Sequence, residues 1–593
     1  MTIPSIRISF GDLNSSKDFK HLGKNSFFNI TSMGHLEGPM TVENNVKVVK
    51  VFGYSIINNK IDNQKVARLI LAEKLNYSEI NGQFLIIIFD KLKDELKIIN
   101  DRFASYPIYW ANLKGIFFAC LSYIDLQKML NKHNVKKKID KFNFFEFIYL
   151  QKLQGDKTYD SVSKYLLPAS VLIIRNGLSK RSFYWNQSFL KKDYKNVNQA
   201  GMIFSELLKR NIKIFEDKYK KIGLFLSGGH DSRTLLSCMN KEKVEAVTVS
   251  FFDNYEVSCA RKLAKKKDIK HNFFKLSENH FFDNLELMTE ICSGFYSIIN
   301  ALFVDLPKEK FKSFDLLMHG HGLDYMFHGM YLPSQNINVF NSPTFFKRLI
   351  DIKHQNIVTF FLENISFRLS NINLFNYLKR NKKKIFYESL VKSSEDVLSL
   401  NDTLDSNDSK WEYLLTHCLS RHYSYPNNLS IMTMGKQACV TFENEIFDFF
   451  LSLPNKYRIY GELLRYTTHR FGPSMLKVPS GNYGIPVGLS PLGKTVWLVV
   501  RKILRNSLGI KSLHTPHASD RTWPDQNEYV FHNKEFNKIV NKSLNSEKLR
   551  DILDFFDWKK IDNQFKNSKN LKNKNFGKFL FNLITLERFL QKF

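Results

Sequence analysis

The sequence predicts a mixed α/β and α+β protein: layered β-sheets first, then a parallel α/β domain with a large helical part. Three observations predict it. Short apolar runs bounded by turn signals fill the first ~190 residues. Near residue 196 the pattern changes to strands alternating with helices, which implies a parallel sheet with crossover helices. From about 340 to 470 the spacing is helical and rich in aromatics.

In the first region, Val46 to Phe52, Gln83 to Asp90, Glu95 to Asn100, Ile116 to Leu121 and Ser170 to Arg175 read as strands. The polar stretch Lys91 to Asp94 makes a turn, and Asn176-Gly177 makes a hairpin turn. Lys65 to Leu75 is the one helix expected there, with Val66, Leu69, Ile70, Ala72 and Leu75 at helical spacing. Beyond 196, Gln199 to Ile214 is helical and Ile222 to Leu226 is a short strand. Val244 to Ser250 and Phe273 to Leu276 are further strands, with a helix over Glu256 to Lys267 between them. The last sixty residues are Lys- and Asn-rich, yet Phe576, Phe579, Leu580, Leu583 and Leu586 keep helical spacing.

Composition narrows the classes. Hydrophobic residues are 43% and include 53 Phe, so the chain buries large cores and is not a disordered polycation. The longest apolar runs, Phe84 to Phe89 and Val496 to Val500, are far shorter than a membrane span. No secretory signal is visible. Six Cys without a CxxC pair argue against a disulfide scaffold or structural zinc, and fit a reducing cytoplasm. The net charge of +30 is compatible with nucleic acid, a membrane surface, an anionic small substrate or biased composition. Residues 533–593 hold 14 Lys and Arg against 7 Asp and Glu, a modest enrichment. Lys265 to Lys267 and Lys382 to Lys384 read as solvated helix faces.

The sharpest feature is Leu226-Ser227-Gly228-Gly229-His230-Asp231-Ser232-Arg233, at the end of an apolar strand and the start of a helix. Glycines let backbone N–H groups approach phosphate oxygens, and the helix N-terminus adds positive potential. Ser227 and Ser232 supply hydroxyls. A carboxylate beside phosphates repels them, so Asp231 implies a bridging Mg²⁺; the simpler alternative is a helix cap. A Walker A loop is excluded, because no GxxxxGK[ST] pattern is present.

This loop resembles the SGGxDS PP-loop of ATP pyrophosphatases, and other segments narrow the resemblance to the asparagine synthetase family. Gly320-His321-Gly322-Leu323-Asp324-Tyr325-Met326-Phe327-His328-Gly329 is similar to that family's GEGxDExFxGY segment. Phe447 to Pro454 resembles a helix end of the same domain. Asn100 to Trp110, with Gly82-Gln83-Phe84 before it and Phe183-Tyr184-Trp185 after it, resembles the amidotransferase domain. The resemblance implies an Ntn-type, class II amidotransferase-like domain over residues 1–195. It implies an ATP-binding synthetase domain with a basic helical tail over 196–593.

The resemblance further implies ATP and Mg²⁺ as cofactors, with the metal on Asp231 and Asp324. Nucleotide contacts are expected at Leu226, Ser227, Gly228, Gly229, Asp231, Ser232, Val249 and Gly322, the adenine lying near Leu226 and Val249. Glu256 is either near the nucleotide or a solvated helix start. His230, His319, His321 and His328 invite a transition-metal reading, which the resemblance does not support.

The departures are specific. Glutaminase members carry Cys after the initiator Met, whereas this chain begins Met1-Thr2-Ile3, so glutaminase activity is expected to be absent. His321 and Tyr325 stand at family Glu positions, and the Glu-x-Arg-x-Pro stretch aligns with Lys436, Ala438 and Val440. Family lysines align with Gly461 and Ser480; Lys477, three residues from Ser480, is the expected substitute and third catalytic residue. The expected activity is an AMP- and pyrophosphate-forming amide ligase acting on a small or peptide carboxylate and ammonia or an amine. A nucleotide-binding scaffold and a peptide or β-lactam type cyclase are the alternatives. No nucleic-acid module is visible.

Overall fold

A computed structural model describes residues 3–12, 26–36, 39–113, 115–339, 342–365, 372–507, 525–567 and 576–593. Two antiparallel sheets stack in its N-terminal region. One orders its strands Lys164–Tyr165, Tyr109–Leu113, Ile116–Cys120, Ser5–Asp12 and Ser26–Met33. The other orders them Leu178–Phe183, Ser170–Arg175, Glu95–Asn100, Asn81–Asp90, Lys47–Ile57 and Met40–Glu43, with Lys60–Ile61 beside Lys47–Ile57.

The run Phe84 to Phe89 is apolar at every position because both faces of its strand are covered. Leu85, Ile87 and Phe89 meet Ile8, Phe10 and Phe117 of the facing sheet. Phe84, Ile86 and Ile88 meet Val66, Ala67 and Ile70 of the helix Asn63–Leu71. Two further helices, Tyr123–Lys132 and Lys141–Leu150, were not legible in the sequence. The second is buried at Asn143 to Ile148 and again at Leu150, so it lacks the one-sided spacing that marks a surface helix.

Beyond the long helix Val197–Lys218 lies a five-stranded, all-parallel sheet. Its order is His271–Lys275, Val244–Ser250, Ile222–Phe225, Leu316–His319 and Gln437–Cys439. The chain starts in the centre and builds outward to both sides, so the strand order reverses between Ile222–Phe225 and Leu316–His319. A crevice opens at such a switch point, at the carboxyl ends of the strands. The expected helical stretch from 340 is corrected at its start: Ser334–Val339 and Ser342–Leu349 form an antiparallel hairpin, whose second strand packs on the helix Pro491–Ser507. That helix partner lies some 150 residues away, out of reach of a local pattern.

The sheets and the parallel sheet are joined by buried polar contacts. Gln437 Nε2 donates to Gln83 Oε1 (3.0 Å), and Gln437 Oε1 pairs with His319 Nε2 (2.9 Å). Tyr54 donates to Glu443 (2.9 Å), Tyr425 donates to the Ser105 carbonyl (2.6 Å), and Phe103 stacks on Phe442 at 4.8 Å. The helix Phe576–Lys592 is a core element, with Phe576, Phe579, Leu580, Leu583 and Leu586 all buried. All six cysteines are free and buried. Among the described residues no helix is long and apolar enough to cross a membrane.

Candidate active site at the sheet switch point

The two strands flanking the switch point end in Ser227-Gly228-Gly229 and Gly320-His321-Gly322, and the helices that follow start with Asp231 and Leu323-Asp324. The tertiary fold therefore brings together Asp231 and Asp324, 93 positions apart. Gly320 is the contact point: a Cβ there would stand 3.2 Å from both the Asp231 Cβ and the Ser232 nitrogen. Both aspartates are partly buried. Burial raises Asp231 well above the usual carboxylate range, and repulsion from Asp324 adds to it. Burial pushes Asp324 up to about 6, against a backbone N–H of Tyr325 that donates to its carboxylate (2.9 Å).

The loop is pre-shaped. Ser227 N donates to Ser232 Oγ (3.0 Å), the two hydroxyls lie 3.1 Å apart, and Gly229 N donates to Ser227 Oγ (3.1 Å). Leu226 N donates to the Val247 carbonyl (2.8 Å), and the Leu226 carbonyl accepts from Thr248 Oγ1 (2.7 Å). Both backbone groups of Leu226 are thus engaged, and Val249, on the neighbouring strand Val244–Ser250, is buried. Gly228 O accepts from Gly481 N (3.1 Å), which lays the segment from Pro479 to Gly484 over the loop. A Cβ at Gly481 would meet Glu256 Cγ at 3.0 Å, so Glu256 stands against this same lid segment.

Arg233 holds that arrangement. It is fully buried and donates to the carbonyls of Met475 (3.1 Å), Val478 (2.6 Å), Gly228 (3.1 Å) and Pro479 (3.0 Å). No carboxylate pairs with it among the described residues, so it places a positive charge behind the loop from Ser227 to Ser232. Sequence reasoning passed over it as a residue that follows the motif; its adjacency to Ser232 was the only signal.

Lys477 ends the turn Pro473–Lys477 and is exposed. Among the described residues no ion pair joins it to Asp231 or Asp324. The cations whose fields reach His230 are Arg233, Lys494 and Arg465. Nothing in the sequence marked Lys494.

The surroundings of His321 are lined by neutral rings. His321 packs at 5.8 Å from Tyr325, His422 and Phe442, and burial pulls its pKa down to about 3. His422 Nε2 pairs with the Tyr331 hydroxyl (2.8 Å). Gly461 has φ +65° and begins the helix Glu462–Phe471; a Cβ there would fall 2.0 Å from His328 Cδ2. The His328 ring thus fills the space that a side chain at 461 needs. His230 lies 5.7 Å from His328, and His319 is spent on Gln437. Among the described residues no group of three His, Cys, Asp or Glu is placed to hold a metal ion. Thr2 lies outside the described residues.

Comparison with known proteins agrees with this geometry. The family Asparagine synthase matches residues 204–417, and the Glutamine amidotransferase domain matches residues 72–185. No curated protein matches significantly. Among solved structures, an allosteric regulatory enzyme of purine biosynthesis is 7% identical, covering 46% of this chain and 74% of its own, at a TM-score of 0.19. The glutamine phosphoribosylpyrophosphate amidotransferase from B. subtilis, complexed with ADP and GMP, is 12% identical, covering 46% of this chain and 59% of its own, also at 0.19. The two family matches follow each other along the chain, the Asparagine synthase match spanning the Ser227–Ser232 loop and Asp324, so the chain carries a glutamine amidotransferase-like domain ahead of an asparagine synthase-like domain.

Proposed function

We propose that the chain is an ATP-dependent amide ligase that adenylates a carboxylate, releases pyrophosphate and passes the acyl group to ammonia or an amine. The observation that carries the proposal is the pairing of Asp231 with Asp324 across the switch point. Two partly buried carboxylates that repel each other fit a divalent cation, which would remove that repulsion. Bound there, Mg²⁺ supplies positive charge to the leaving pyrophosphate.

The residues of the chain do the rest. Ser227 and Ser232 orient hydroxyls toward the phosphates, and the backbone N–H groups of the loop and of the helix start at Asp231 complete the cradle. Arg233 keeps the loop and the segment from Pro479 to Gly484 together. Substrate carboxylate oxygen forms a bond to the α phosphorus as the bond to the bridging oxygen breaks. The amine then displaces AMP from the acyl group. Family Glu positions here are His321 and Tyr325, neutral and packed, so the acceptor subsite differs from one built for asparagine formation. We further propose residues 1–195 as an amidotransferase-like domain without glutaminase activity, and 196–593 as the ligase domain.

The test is ATP–pyrophosphate exchange across a library of carboxylates. Exchange with at least one carboxylate is expected, and Asp231→Asn lowers it at least about a hundredfold. The same protein releases no glutamate from glutamine. Absence of exchange with every carboxylate would favour a nucleotide-binding scaffold instead.

A further inference from the structure

The charges around Asp231 and Asp324 leave a bound polyphosphate unbalanced. The two carboxylates and a divalent cation between them cancel, so the polyphosphate's own negative charge needs further cations. Arg233 spends its donors on carbonyls, and Arg465 is paired with Glu462. Lys477 is exposed, and neither Gly461 nor Ser480 carries a charge.

Two half-buried lysines from other segments stand close by. The helix Pro491–Ser507 turns its polar side toward the protein and leaves the aliphatic Val496, Val499 and Ile503 exposed. Thr495 Oγ1 accepts from Phe345 N (3.2 Å), Arg501 donates to the Tyr483 carbonyl (2.9 Å), and Lys494 Nζ lies 6.0 Å from the centre of the Phe345 ring. The same Phe345 ring lies 5.4 Å from the Tyr483 ring, in the segment that covers the loop. Lys347 is pinned at its backbone: its N–H donates to the Tyr460 hydroxyl (3.2 Å), which donates to its carbonyl (2.8 Å). Tyr460 precedes Gly461, against which the His328 ring packs. His328 N donates to the Asp324 carbonyl (3.1 Å), and the His328 ring lies 5.7 Å from that of His230, the neighbour of Asp231. Burial and the fields of Lys494 and Lys347 pull the His328 pKa down to about 4, so both ammonium groups stand near the ring that joins the two aspartate loops.

Neither ammonium has a counter-ion of its own. Among the described residues no carboxylate forms an ion pair with Lys347 or Lys494. Glu462, whose field reaches Lys494, is held by Arg465. Burial lowers the pKa of both lysines. Two desolvated cations without an anion are costly, and an anion bound between them offsets that cost.

We propose that Lys347 and Lys494 bind the β- and γ-phosphates of ATP and the pyrophosphate they become, in place of the lysines missing at 461 and 480. The His328 ring fills the space of a side chain at 461, so the charge arrives from a hairpin and a helix instead. The inference rests on the ligase reading above and names the residues that hold its leaving group.

The test is titration calorimetry of the full-length protein with inorganic pyrophosphate and Mg²⁺, which needs no turnover. Lys494→Met is expected to weaken binding about tenfold and Lys347→Met/Lys494→Met about a hundredfold, the loss of one and of two charge-assisted contacts. The thermal midpoint stays unchanged, because Met keeps the apolar stem. Lys494→Arg keeps the charge and is expected to bind within about threefold of the parent. Met variants that bind pyrophosphate as the parent does overturn the proposal and leave the ligase reading intact. So does an Arg variant as weak as the Met variant, or a loss that only follows a lowered midpoint. A parent that binds no pyrophosphate overturns both the proposal and the phosphate site beneath it. Pyrophosphate binding that depends on the lysines, without exchange on any carboxylate, overturns the ligase reading alone.

Discussion

Arg233 and Glu443 are buried charged-type residues solved in opposite ways. Arg233 keeps its proton and spends it on four backbone carbonyls, the arrangement a planar guanidinium suits. Arg233→Met removes the donor to all four, although the Gly228 and Met475 carbonyls keep backbone N–H bonds from Gly481 and Val478. It is expected to cost about 3 kcal/mol or more of stability, measured by denaturant unfolding, and Arg233→Lys to recover only part of it. Glu443 accepts from the Tyr54 hydroxyl, while its second oxygen is without a partner. Burial pushes its pKa from 4.5 up to about 8, so the folded protein holds this carboxyl neutral. Between those two pH values the unfolded chain has released the proton and the folded chain has kept it. Stability contributed by this group is therefore complete below pH 4.5 and declines as pH rises toward 8. Glu443→Gln is expected to flatten that decline, gaining on the order of 3 kcal/mol over the parent at pH 8 and little at pH 4.5, read from unfolding curves at both pH values.

At the scale of elements, the site is two strand–loop–helix units meeting at one reversal of strand order. Each loop is short, and their separation is set by what lies between them. A Cβ at Gly320 would stand 3.2 Å from Asp231 and Ser232, tighter than ordinary contact. Gly320→Ala is expected to push the loops apart by a few tenths of an ångström and lower ATP–pyrophosphate exchange about tenfold or more, with a smaller effect on the thermal midpoint. The pairing of Gly461 with His328 follows the same logic. A ring has taken the space of a side chain, so restoring a lysine at 461 alone would not rebuild a family-like site.

At the scale of the molecule, the N-terminal sheets and the parallel sheet share one continuous core. Tyr54, Phe103 and Tyr109 belong to the same apolar cluster as Leu224, Phe442 and Phe589. The C-terminal helix closes that cluster: Phe589 stacks on Tyr123 at 5.7 Å and lies 5.4 Å from Tyr159. Truncation before Phe576 would expose these rings in both regions at once. It is expected to yield insoluble protein or to lower the thermal midpoint by more than about 10 °C, checked by expression and calorimetry. The basic excess of the last sixty residues therefore rides on helices that also serve the core.

The sequence by itself determined five strands of the first region, the alternation that makes a parallel sheet, and the strand-to-helix loop at Ser227 to Ser232, because each is written in local periodicity or contiguous motif; the strands Ser5–Asp12, Ser26–Met33 and Tyr109–Leu113 were not read from it. Phe84 to Phe89 and Ser227 to Ser232 are legible without any partner. The all-round apolar helix Lys141–Leu150 and the hairpin Ser334–Leu349 were not, since their conformation is fixed by what covers them. Only the tertiary structure decided that Asp231 and Asp324 share a crevice, that Arg233 rather than Lys477 is bonded to the loop, and that the apolar side of Pro491–Ser507 faces outward. Each of those is a relation between distant segments, set by strand order and packing, which local spacing does not encode.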